Sequence, residues 1–180
     1  MRAAVLLVAL FAAQATAQAA EIRTYVVRGD SAADLIQQMR QLGPRGFWGW
    51  TQADYAWTYR YDQSGGRCRI ASATVTERIQ VTLPSWSNRD AGKACLREAW
   101  ERMLTRLSDH EQGHVSRWRG TRERIHVALL AIAPQASCDA VAKAADDTAK
   151  AEIRRTQDLQ NAYDRQTNHG MALGVALPDC

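Results

Sequence analysis

The residues of this sequence best suited to chemistry are two histidines and a glutamate at a fixed spacing. They are His110, Glu111 and His114, which form the pattern His-Glu-x-x-His. On a helix, residues four apart lie one turn above each other on one face, so both imidazoles can bind the same metal ion. The glutamate can then reach a metal-bound water and act as a general base. The spacing is typical of zinc hydrolases and predicts a Zn²⁺ site.

Hydrophobic periodicity places this motif on the buried face of a helix. Between residues 91 and 133 the pattern is helical, with large apolar residues recurring at steps of three and four up to Leu107. The same stripe continues through His110 and His114. Two histidines on a buried face need partners for their polar atoms, and one metal ion would satisfy both.

A catalytic zinc site needs a third protein ligand and an open position, so the motif requires a residue from elsewhere in the chain. His169 lies at the predicted end of the C-terminal helix, next to Gly170, where its side chain can point back into a cleft. Asp164 and Glu152 are the alternatives. His126 lies about a third of a turn away from the metal face, which favours an ordinary histidine there. His169 is therefore the predicted third ligand.

The N-terminus is typical of an exported protein. A basic start is followed at residues 3–13 by an apolar run that is too short to cross a membrane, and then by small residues suited to signal cleavage. The sequence predicts a signal peptide at residues 1–19. Residues 20–180 should then form a single domain that is secreted or periplasmic, without stable membrane insertion.

Charge and cysteine content narrow the partners and the compartment. The chain has 23 Lys and Arg against 19 Asp and Glu, a mild and interspersed excess that argues against a nucleic-acid partner. The four cysteines include no Cys-x-x-Cys pair, so two disulfides are expected in an exported protein. Three pairings are possible. The pairing Cys68–Cys95 with Cys138–Cys180 is favoured, because its second bond would hold the C-terminal tail.

The remaining pattern predicts an α+β fold with a small, mostly antiparallel sheet. Alternation of apolar and polar residues marks strands at about residues 55–61 and 68–83, joined by a hairpin turn. The sheet should pack against the motif helix and a C-terminal helix at about residues 138–167, in a zincin-like arrangement. The motif helix would run about 60 Å if unbroken. A break is therefore expected, with Ser108 and Glu111 as a capping box.

The first of these strands is unusually aromatic. Tyr55, Trp57, Tyr59 and Tyr61 alternate with other residues and share one face. Packing of this face against the helices is the favoured interpretation, because buried aromatic side chains commonly dominate a small core. An exposed face that stacks on sugars or binds peptide is the alternative.

Three motifs together resemble a bacterial family of predicted secreted zinc-dependent proteases. The motifs are Thr82-Leu83-Pro84-Ser85-Trp86, His110-Glu111-Gln112-Gly113-His114 and Tyr163-Asp164-x-x-Thr167-x-His169-Gly170. The similarity covers essentially the whole chain after the signal peptide. Because the family's protease description itself rests on His-Glu-x-x-His, the resemblance supports the metal site more directly than it supports peptide cleavage.

The leading hypothesis is a secreted zinc metallopeptidase that acts on proteins or peptides. The predicted zinc ligands are His110, His114 and His169. Glu111 would be the general base, and Tyr163 would donate a hydrogen bond to the oxyanion, with Thr167 as a second donor. An exposed sheet edge, for which the strand at residues 68–83 is the candidate, would align the peptide. A non-catalytic zinc-binding envelope protein and a hydrolase of cell-wall amide bonds are the alternatives.

Overall fold

The computed structural model describes residues 19–180, so the predicted signal peptide lies outside the described residues except for its last position. The strands are β1 (Glu21–Val27), β2 (Trp50–Asp62) and β3 (Arg69–Trp86), and the helices are α1 (Ala32–Leu42), α2 (Ala94–Trp118), α3 (Thr121–Leu130) and α4 (Cys138–Thr167). The predicted α+β class is confirmed. Within residues 19–180, no helix has both the length and the apolar character needed to cross a membrane.

The sheet has three strands in the order β1-β3-β2. β2 pairs with β3 in the antiparallel sense, whereas β1 pairs with β3 in the parallel sense, so the sheet is mixed. β3 is the middle strand of this order, but β1 pairs only with residues 80–86, so within the described chain residues 69–79 of β3 pair with β2 alone. The expected exposed edge is excluded only where β1 pairs, and for residues 69–79 it stays a prediction. The edge next to the motif helix belongs to β2.

The aromatic face of β2 packs inward as far as Tyr59, as favoured from the sequence, whereas Tyr61 follows a register shift in the strand and is exposed. Tyr55, Trp57 and Tyr59 contact a buried apolar cluster built mainly from α3 and α4. The hydroxyl of Tyr55 also donates a 2.8 Å hydrogen bond to Oε1 of Glu77 on β3. Glu77 is the one acidic residue on the apolar face of β3, where the alternation of apolar and polar residues does not explain it. The hydrogen bond from Tyr55 gives its carboxylate a partner.

The helix that carries the motif is shorter than the helical pattern of residues 91–133, and it ends just before Gly120. α2 runs without interruption through the histidines to Trp118, and Gly120, with φ of 85°, separates it from α3. A break was expected, but its predicted place is wrong because Ser108 lies inside α2. Only Gly120 readily takes the left-handed conformation that turns the chain there.

Two disulfides tie the periphery to the core. They join Cys68 to Cys138 and Cys95 to Cys180, so the favoured pairing was wrong, while the expectation of two disulfides is confirmed. Cys68 and Gln135 form an isolated β-bridge, which brings the start of β3 next to the start of α4. The second bond holds the C-terminal tail to the first turn of α2. Such contacts depend on the tertiary fold and leave no local signal in the sequence.

The core fixes the motif helix between the sheet and α4. Trp100, Met103 and Leu107 of α2 are buried in one apolar cluster with side chains of α1 and the sheet. Each large apolar side chain removed from water contributes about 1.5–3 kcal/mol. The histidines follow these residues along α2 and contact α4 through Asp164.

Candidate metal centre

Two histidines and an aspartate converge at the interface of α2 and α4. Nε2 of His110 and Nε2 of His114 are 3.2 Å apart. Oδ1 of Asp164, on α4, lies 3.3 Å from the first nitrogen and 3.0 Å from the second. The three ligand atoms all lie within 4.8 Å of one another, and together they could hold a metal ion.

The hydrogen bonds of Gln160 indicate that this site needs a cation. Its side-chain nitrogen donates to the carbonyl oxygen of His114 at 3.1 Å, so its oxygen is the atom that accepts from Nδ1 of His114 at 2.7 Å. In a neutral imidazole, Nε2 then carries a bare lone pair that faces the carboxylate of Asp164. Two acceptors at 3.0 Å require a proton or a metal ion between them. The two imidazole nitrogens and the carboxylate oxygen are therefore ligands that fit a metal ion.

The charges of the site also favour a bound cation. Burial opposes ionisation of Asp164, but the hydrogen bonds to His110 and His114 outweigh it and hold the pKa of Asp164 well below its usual range. Burial likewise opposes the charge of His114, but Asp164 and Gln160 outweigh it and raise the pKa of His114. The carboxylate thus attracts positive charge into a buried position.

His110 sits in surroundings that do not satisfy its second nitrogen. Nδ1 of His110 is buried and has no hydrogen-bond partner within the described chain. The ring of Tyr163 stacks on the imidazole at a centroid distance of 5.0 Å. On another side Gly170, with φ of 85°, passes so close that a Cβ would stand 3.2 Å from Cγ of His110. Packing fixes the ring with Nε2 facing His114 and Asp164, where it could bind a metal ion.

Glu111 is buried beside this group and is held by β2. The hydroxyl of Thr51 donates a 2.7 Å hydrogen bond to Oε2 of Glu111. Gly49 lies against the other oxygen, where a Cβ would come within 2.5 Å of Oε1. Burial raises the pKa of Glu111, and the hydrogen bond from Thr51 opposes that shift. A carboxylate with a raised pKa is suited to accept and release a proton.

His169, the predicted third ligand, lies next to the group without being one of its three residues. Its Nδ1 is 3.6 Å from Oδ1 of Asp164, and its side chain is half exposed. Asn168, His169 and Gly170 all have positive φ, at 48°, 51° and 85°, which turns the chain back over His110. Such backbone is costly for non-glycine residues and is concentrated at functional sites. Ligation by His169 stays a prediction, while Asp164, an alternative from the sequence, belongs to the group.

The predicted oxyanion donors have structural contacts instead. Tyr163 packs on His110, and the guanidinium of Arg117 lies 3.5 Å from its ring centroid. Its hydroxyl lies against Gly113, where any side chain would collide with it. The hydroxyl of Thr167 donates to the carbonyl oxygen of Tyr163 at 2.8 Å. The role of Tyr163 as a donor to substrate stays a prediction without support from this arrangement. Glu152 forms an ion pair with Arg124.

Three residues that contact the site, Gln160, Thr51 and Gly49, were not predicted from the sequence. Only Gln160 has a sequence pattern that could have indicated its role. Gln160 lies four residues before Asp164, so the two share a face of α4, and a polar residue on that inward face could have been noticed. Thr51 and Gly49 lie sixty residues from Glu111 or more, and their contacts with it depend on the packing of β2 against α2. No spacing rule connects them.

Comparison with known proteins identifies a family without an assigned activity. Residues 22–170 match a family described as bacterial protein of unknown function (DUF922). The chain belongs to this family. No curated protein and no solved structure matches it. The matched region contains the complete candidate metal centre, so the centre lies within the family's own domain.

An open cleft of about 730 Å³ adjoins the candidate centre of this DUF922 protein. His110, Glu111 and Asp164 form part of its wall. Consecutive residues of β2, from Trp50 to Asp54, also line the cleft. Because successive side chains of a strand point to opposite faces, a cleft lined by all five borders the edge of the strand. The edge that β3 does not cover therefore faces the centre.

Proposed function

We propose that the protein is a zinc-dependent peptidase that acts in the periplasm or outside the cell. The observation that carries the proposal is the buried carboxylate of Glu111, which lies beside the group of His110, His114 and Asp164 on the wall of an open cleft. A purely structural metal site would need neither a buried glutamate nor a cleft.

Imidazole nitrogens with a carboxylate oxygen are ligands that suit Zn²⁺. When bound, zinc would supply a Lewis acid that polarises a carbonyl group and lowers the pKa of water. The chain itself supplies proton transfer and orientation. Glu111 accepts a proton from the attacking water and delivers it to the leaving amine. Thr51 holds the carboxylate of Glu111, and Gln160 holds the imidazole of His114.

The edge of β2 supports a peptide as the substrate. An extended peptide can add to an exposed strand through main-chain hydrogen bonds, with its side chains in flanking pockets. Such a peptide would lie along Trp50–Asp54 and pass next to Glu111. The proposal places the peptide on this edge rather than on β3, because this edge borders the cleft. The two disulfides support an oxidising compartment, and hence export.

The deciding experiment is Glu111→Gln, compared with Glu98→Gln on the exposed face of the same helix. Both variants should retain zinc, and Glu111→Gln should lower hydrolysis of casein by at least about 100-fold, while Glu98→Gln leaves it unchanged. A chelator should abolish hydrolysis and added zinc should restore it. Equal activity of the two variants would exclude Glu111 as the base.

A non-catalytic zinc protein is the second candidate, because His169 lies 3.6 Å from Asp164 and could close the site as a fourth ligand. Zinc retention without hydrolysis of casein or peptidoglycan would favour it. The cell-wall amide hydrolase loses its main support, since the aromatic face of β2 is packed against helices. Hydrolysis of peptidoglycan but not casein would restore it.

A further inference from the structure

The cleft has two distinguishable ends because β2 and α2 run side by side in the same direction. Their contacts pair Gly49 with Leu107, Thr51 with Glu111 and Tyr55 with Trp118. Cleft residues of β2 on the Trp50 side of Thr51 therefore lie toward one end, and those that follow Thr51 lie toward the other. Glu111 and the metal-ligand group lie between them.

The two ends carry opposite charge. Arg45 lies at the end before Thr51, because its guanidinium stacks on Trp50. The carbonyl oxygen of Arg40 lies next to Gly46, the neighbour of Arg45. Both arginines line the cleft at this end, which we call the arginine end, and Asp54 lines the other end. Among the ion pairs of residues 19–180, none includes either arginine. Both guanidinium groups are thus available to an anion that enters the cleft.

Arg45 is held in position at a cost to the backbone. It has φ of 55° and ψ of 19°, a left-handed conformation that a glycine would adopt without strain. Its guanidinium carbon lies 4.7 Å from the ring centroid of Trp50, which itself packs on Phe47. Stacking on an aromatic face orients the guanidinium without neutralising its charge. A strained residue that presents a charge to the cleft suggests that the charge is used.

We propose that Arg40 and Arg45 recognise a carboxylate of the substrate on the C-terminal side of the bond that is cut. The proposal rests on the peptidase function proposed above and names its specificity. A guanidinium matches a carboxylate with two parallel hydrogen bonds. A peptide that pairs antiparallel to β2, the more stable pairing per residue, has its C-terminal half at the arginine end and its N-terminal half near Asp54. The preferred substrates therefore carry Asp, Glu or a free C-terminus after the scissile bond.

A binding measurement tests this without catalysis. Two fluorescein-labelled peptides, identical except for Glu or Gln in their amidated C-terminal halves, are titrated with zinc-loaded Glu111→Gln protein and followed by anisotropy. The Glu peptide should bind more tightly, by about two- to fivefold for each arginine. The preference should vanish in Arg40→Gln/Arg45→Gln and persist in Arg60→Gln, an exposed position of β2 outside the cleft. Equal affinities, or a preference that survives the double variant, would overturn the proposal.

Cleavage mapping keeps this proposal separate from the peptidase function. A mixture of unlabelled peptides is digested with the zinc-loaded wild-type protein, and the cut sites are read by mass spectrometry. Acidic residues should be enriched after the cut and lose that enrichment in Arg40→Gln/Arg45→Gln. Enrichment before the cut would overturn the proposed direction. If nothing is cut while the Glu peptide still binds preferentially, the peptidase function fails and recognition of the carboxylate stands.

Discussion

Thr51 joins the edge strand of the sheet to the motif helix through the 2.7 Å hydrogen bond that its hydroxyl donates to Oε2 of Glu111. Two residues earlier, Gly49 lies so close to Oε1 that no side chain would fit between them. β2 and the residue just before it therefore lie against both oxygens of the carboxylate, one through a hydrogen bond and one through close packing. Because β2 also borders the cleft, the element that would align a peptide also orients the proposed base.

Gly49→Ala should displace the Glu111 carboxylate without altering any candidate metal ligand. The new Cβ would stand 2.5 Å from Oε1 and 2.9 Å from Cδ1 of Leu107, so the glutamate has to shift. A shift of about 1 Å in a catalytic group can lower the rate about 100-fold. Casein hydrolysis, bound zinc and thermal unfolding are each measured for the variant and the wild-type protein. Full activity in a folded variant would show that the close contact does not orient the base.

Gln160→Leu should weaken metal binding although Gln160 is not itself a candidate ligand. Its amide oxygen fixes the proton of His114 on Nδ1 and frees Nε2 for the metal. Loss of such a partner lowers metal affinity by about 10- to 100-fold. Competition with a zinc chelator measures the change. Gln157→Leu, at an exposed position one turn earlier on α4, is the control and should keep the wild-type affinity; equal losses in both variants would contradict the orienting role.

Asp164→Asn and His169→Ala separate the two candidates for the third ligand. Asp164 contacts both histidine nitrogens, so its loss should lower zinc affinity by more than the roughly 100-fold effect of a supporting residue. His169 lies farther out and is half exposed, so its loss should change affinity less. Isothermal titration with zinc gives both values. A larger loss in His169→Ala would make His169 the ligand predicted from the sequence.

Local patterns predicted the parts of the site that lie on one element. The stripe that continues from Leu107 into His110 and His114 depends only on helical periodicity, and the structure has both residues buried on that face. Alternation likewise predicted the inward aromatic face of β2. These features follow from the repeat of a single helix or strand.

Features that depend on which elements meet were not predictable in this way. The pairing of β1 with β3, the pairing of Cys95 with Cys180, and the contact of Thr51 with Glu111 all join distant parts of the chain, across 59, 85 and 60 positions. The choice between Asp164 and His169 depends on the left-handed turn after α4, where two non-glycine residues adopt positive φ against their intrinsic preference. Tertiary packing decides such cases.

Stability should fall at alkaline pH because of two partly buried tyrosines. The hydroxyl of Tyr25 donates a 2.8 Å hydrogen bond to the carbonyl oxygen of Trp48, in the segment that leads to Gly49. Burial raises the pKa of Tyr25, and burial together with Glu77 raises the pKa of Tyr55. A phenol with a raised pKa in the folded state contributes its full stability below the unfolded pKa of about 10. That contribution is lost as the pH rises from about 10 toward the folded value.

Urea unfolding between pH 8 and pH 12 should therefore show a declining free energy of unfolding above about pH 10. The decline is at most about 1.4 kcal/mol per pH unit for each tyrosine, and smaller where solvent reaches the ring. Tyr25→Phe should lose about 0.5–1.5 kcal/mol at pH 8, because the hydrogen bond to Trp48 is gone. It should also decline less steeply above pH 10, since one ionising phenol is absent. Tyr61→Phe, at a position 40% exposed, is the control; if its profile matched that of Tyr25→Phe, burial of Tyr25 would not be the cause.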